Sequence, residues 1–99
     1  MGVISAVVQD EKGTQVGERV DLPTDLFPDH HDIRFVCLRF VDPYGDTLFN
    51  RLQTQAVLED LRLLKTTKTN EQGELIHRIE TLVRVCQKEP HLYLKFIGD

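Results

Sequence analysis

Two carboxylates, Asp42 and Asp46, stand on either side of Pro43-Tyr44-Gly45, and Asn50 and Arg51 follow closely. A pair of carboxylates at this spacing can hold a divalent ion through oxygen. With a histidine nearby it can also move protons as a general acid or base. His91, directly after Pro90, is the histidine that the order of elements brings toward this stretch. Asp42, Tyr44, Asp46, Asn50, Arg51 and His91 are therefore the candidate binding rim, suited to a metal-dependent enzyme or a small-ligand-binding protein. Each carboxylate also has a purely structural use. Asp42-Pro43-Tyr44-Gly45 fits a type I turn, and Asp46 or Thr47 can cap a helix. No residue is accordingly assigned as catalytic or as a metal ligand, and no cofactor is expected.

Other residues capable of chemistry are weaker. In Pro28-Asp29-His30-His31-Asp32 the two histidines are adjacent, and neighbours in an extended chain point to opposite sides. Zinc ligands are usually spaced more widely, so this stretch reads as a solvated loop. Cys37 and Cys86 are too few for a disulfide framework. They read as small buried hydrophobes in a reducing compartment. There is no glycine-rich phosphate loop, nucleophile elbow or paired metal-ligand motif. Twelve basic against sixteen acidic residues give a net charge of −4, which disfavours nonspecific nucleic-acid binding. No apolar run is long enough to span a bilayer. Met1-Gly2-Val3-Ile4 lacks the basic start of a signal peptide. These features predict a cytoplasmic protein with no nucleic-acid or membrane partner.

The elements that must position these residues follow from periodicity. Val3 to Gln9 and Thr14 to Leu22 read as a hairpin around Asp10-Glu11-Lys12-Gly13, with a bulge at Gly17. Pro23 to Asp32 is a loop. Arg34 to Val41 alternates like a strand, with Val36, Leu38 and Phe40 on one face. Leu48, Phe49, Leu52, Ala56, Val57, Leu61 and Leu64 predict a helix over about 47–64. Thr69 with Gln72 forms a capping box for a second helix. Its stripe is Leu75, Ile76, Ile79, Leu82, Val83 and Cys86, and Pro90 ends it. His91 to Ile97 is the last strand, with Leu92, Leu94 and Phe96 on one face.

The order β-β-β-α-α-β predicts one α+β domain over residues 1–99: a four-stranded, mostly antiparallel sheet with an antiparallel helix pair on one face. The helix pair returns the chain to the end of the sheet it left, so the last strand lies antiparallel beside the third. The opposite face then displays Phe35, Arg39 and Val41 beside Tyr93, Lys95 and Ile97. A half-apolar face of this kind is a candidate protein interface.

The segments Asp42-Pro43-Tyr44-Gly45-Asp46-Thr47 and Leu92-Tyr93-Leu94-Lys95-Phe96 together resemble those of small bacterial proteins of uncharacterised function. That resemblance implies a bacterial cytosolic origin and no particular activity. The function expected is a noncatalytic protein-interaction or regulatory module, immunity-protein-like by fold-level analogy or self-associating.

Overall fold

The structure, a computed structural model, describes residues 2–99; Met1 lies outside the described residues. β1 (Val3–Gln9) and β2 (Gln15–Pro23) form the first hairpin. Asp10 builds its turn: its side-chain oxygen accepts the N–H groups of Lys12 and Thr14, each at 2.9 Å. Gly13 takes φ +84°, a conformation open to glycine without a Cβ clash. A second glycine, Gly17, has φ +81° where the register between β1 and β2 shifts, as the expected bulge requires.

β3 (Asp46–Phe49) and β4 (Tyr93–Ile97) complete an antiparallel sheet of order β2-β1-β4-β3. α1 (Thr54–Lys65) and α2 (Asn70–Lys88) are the antiparallel helix pair, joined by a short turn. Ile4, Ala6, Val8, Val20, Leu22, Leu94 and Phe96 fill the helix-facing side of the sheet. Val57, Leu61 and Leu64 of α1 and Ile76, Ile79, Leu82, Val83 and Cys86 of α2 close the core from above. The α2 stripe and the inward face of β4 are those read from periodicity.

The third strand and the first helix differ from expectation. Arg34 to Val41 is not a strand: it is irregular and ends in a 3-10 turn at Leu38–Phe40. Its buried residues are Phe35, Cys37, Leu38 and Val41, a spacing that a strand cannot produce. The third strand is instead Asp46–Phe49, where the periodicity predicts the start of a helix. The helix begins at an Asn50-x-x-Gln53 capping box. Gln53 N–H donates to the Asn50 side chain at 3.1 Å, and Asn50 N–H donates to the Gln53 side chain at 2.9 Å. A 3-10 turn at Arg51–Gln53 then leads into α1.

Candidate functional site

The strand pairing decides the fate of the carboxylate–histidine rim. Asp46 pairs with Ile97 and Phe49 with Leu94. Asp42, Tyr44 and Asp46 therefore gather at the end of the sheet where the chain finishes. Gly98 N–H donates to Gly45 O at 2.8 Å and Asp99 N–H to Pro43 O at 2.9 Å. Asn50 and Arg51 lie past the other end of β3, roughly 13 Å along the strand. His91 lies at that end too, facing the β1–β2 hairpin, with its Nδ1 3.4 Å from Glu11. The expected pocket of Asp42, Asp46 and His91 is thus not formed. The helix pair does return the chain to the end it left. The turn, however, precedes the third strand instead of following it, so turn and histidine occupy opposite ends.

Asp42, Asp46, Asn50 and His91 each have a local partner. Asp42 O accepts Gly45 N–H at 3.4 Å and Asp42 Oδ1 accepts Tyr44 N–H at 2.8 Å, so the expected turn is present. Asp46 is no helix cap; it sits in β3 with Lys95 Nζ at 3.5 Å. Asn50 is the cap.

The candidate interface splits in the same way. Tyr93, Lys95 and Ile97 lie on the open face of the sheet, half-buried beside Ser5 and Val7 of β1 and Asp46 and Leu48 of β3. Phe35 and Val41 do not: both are buried in the core. Arg39 remains at the surface, but in the long connection between β2 and β3.

That connection, residues 24–45, is the most distinctive surface of the molecule. Irregular segments of this length are uncommon in small domains and are usually either functional or disordered. It is held as firmly as an element. The buried side chain of Asp60 in α1 accepts three of its N–H groups: Val36 at 3.2 Å, Cys37 at 2.8 Å and Leu38 at 2.9 Å. Leu26, Phe35, Leu38 and Val41 enter the core, and Phe27 meets Phe96 edge-on at 5.5 Å. Asp32 clamps Arg34 through Nε at 3.0 Å and Nη2 at 2.8 Å. The Arg34 hydrogen bond holds the Asp32 carboxyl below its usual range.

With its inner side anchored, the connection leaves Ile33 79%, Val36 58% and Phe40 58% exposed. Between its two arms lies a cleft of about 380 Å³. Its walls are Phe27, Phe40 and Pro43; its polar groups are Asp29, His30, Arg39 and Asp42. That volume falls within the range of small-molecule pockets. Arg39 crosses the cleft, donating to His30 O at 3.0 Å with its guanidinium 4.3 Å from the Phe40 ring centroid.

The thiols offer no nucleophile. Burial pushes Cys37 up, with the charge of Asp60 adding to it, and burial pushes Cys86 up to about 11. Both are free and buried. Asp60 is not singled out by the sequence, and Phe40, read there on a strand face, is exposed on the connection; the polar i, i+3 cap at Asn50 is the signal that the helix begins later. Among the described residues no helix is long and apolar enough to cross a membrane. Comparison of the chain with family models, curated proteins and solved structures finds no match.

Proposed function

We propose that the chain is a noncatalytic interaction module: an acidic cytoplasmic protein of bacterial origin that binds a protein partner or a second copy of itself in a regulatory role. The observation that carries this reading is the anchored connection with Ile33, Val36 and Phe40 turned outward. Singly exposed apolar residues are ordinary. Three large ones within residues 33–40, fixed from beneath by a buried carboxylate, are the arrangement a docking surface needs. Order in the free state also lowers the entropic cost of binding. Free, unreactive cysteines suit a reducing compartment. The bacterial origin rests on the likeness of the Asp-Pro-Tyr-Gly turn and the final strand to small bacterial proteins.

The test compares wild type with an Ile33→Ser/Val36→Ser/Phe40→Ser variant whose circular dichroism is unchanged. Wild type should capture a protein from a bacterial lysate, or show a mass that rises with concentration, and the variant should do neither. Equal capture by both proteins, with both monomeric, would refute the proposal.

A further inference from the structure

Asp29 and Asp32 close a tight turn, with Asp32 N–H donating to Asp29 O at 2.9 Å. His30 and His31 occupy its two central positions. The turn removes the alternation expected of an extended chain. The two imidazole rings lie side by side, with centroids 4.0 Å apart and planes tilted by 42°. One ligand atom from each of Asp29, His30 and His31 falls within 4.8 Å of the others.

We propose that Asp29, His30 and His31 form a coordination site for a divalent late transition-metal ion, zinc above all. The donor chemistry is two imidazoles and one carboxylate, a set that suits zinc and its neighbours and not magnesium or calcium. Tetrahedral zinc with bonds of about 2.0–2.1 Å holds its ligands about 3.4 Å apart. The observed separations, within 4.8 Å, are wider than this, and all three side chains are exposed, with room to turn inward.

The backbone beneath them is already fixed. His31 N–H donates to Asp29 Oδ1 at 2.8 Å, Arg39 holds His30 O at 3.0 Å, and Asp32 holds Arg34. Three protein ligands leave a fourth position for water or for a group from a bound partner. The site lies on the rim of the cleft and stands independently of the interaction reading.

The test is calorimetric titration of zinc chloride into protein prepared without a polyhistidine tag. Wild type should take up one ion per chain. His30→Ala and His31→Ala should each weaken uptake at least about tenfold. Asp29→Asn keeps an acceptor for His31 N–H but loses the charged ligand, and should weaken binding as well. His77→Gln, on α2, should change nothing. Imidazole nitrogen NMR provides a readout that does not depend on affinity, with zinc shifting the His30 and His31 resonances and not His77 or His91. No saturable uptake by wild type, undiminished uptake by any of the three site variants, or loss of uptake on replacing His77 would overturn the assignment.

Discussion

Replacing Asp60 with alanine removes the acceptor that pins the long connection to α1. Three N–H groups lose their partner, and two of them, Cys37 at 7% and Leu38 at 0% exposure, have little access to water. A buried donor left unsatisfied costs about 1–3 kcal/mol, so the pair costs about 2–6 kcal/mol. Relief from burying a carboxylate offsets part of this. The expected net loss is about 3 kcal/mol for Asp60→Ala. Asp60→Asn keeps one acceptor oxygen and should cost about 1–2 kcal/mol. Against a total stability of about 5–15 kcal/mol, both proteins should still fold. Urea unfolding measures the effect: with a slope of about 1–1.5 kcal/mol/M, the alanine midpoint should fall by about 2–3 M. Amide exchange at residues 36–38 should accelerate in both variants. An alanine variant within about 0.5 kcal/mol of wild type, or unchanged exchange at those amides, would refute the idea that a helix carboxylate orders this surface.

Other outcomes follow from particular contacts. A Cβ on Gly98 would lie 2.5 Å from Gly45 N and 2.7 Å from Asp42 O, both backbone atoms that cannot step aside cheaply. Gly98→Ala should cost about 2 kcal/mol and lower Tm by about 8–16 °C in calorimetry. Gly73→Ala meets only the flexible Lys65 side chain, at 3.8 Å, and should stabilise α2 by about 0.5–1 kcal/mol. Burial raises Cys86 from 9.0 to about 11, so the folded state holds that proton more tightly than the unfolded one. Its contribution is complete below pH 9.0, and about 2–3 kcal/mol is lost as pH rises to about 11. Urea unfolding of wild type and Cys86→Ala across that window should diverge accordingly, and iodoacetamide at pH 8 should label Cys86 only as fast as the protein unfolds.

Much of the fold was legible because burial and periodicity agree where elements are long. The α2 stripe, the inward face of β4, and the Gly17 bulge all follow from sequence spacing. Arg34 to Val41 misled because its composition is that of a strand while its backbone is organised by Asp60, a partner many residues away. Local alternation carries no trace of such a contact. Leu48 and Leu52 fitted a helical stripe but are 46% and 84% exposed, and Asn50-x-x-Gln53 marks the true start. The same motif at Thr69-x-x-Gln72 is legible because it stands in a polar stretch, Lys65 to Asn70, with no apolar residue to compete. Glu80, outside the apolar stripe of α2, is nonetheless buried with Lys65 Nζ at 2.6 Å, again a long-range pairing. Shifting the third strand past the Asp42 turn moved that turn to the other end of the sheet and dissolved the predicted pocket. Extended geometry would separate the paired histidines, but a hydrogen-bonded turn puts them side by side.

Amide hydrogen exchange across binding tests the docking surface most directly. It compares the free protein with its captured complex, or dilute with concentrated protein if the partner is a second copy. Protection should appear at residues 33–40. Protection confined to Val3–Val7 and Tyr93–Ile97 on the open sheet face, with none in the 24–45 connection, would contradict the account.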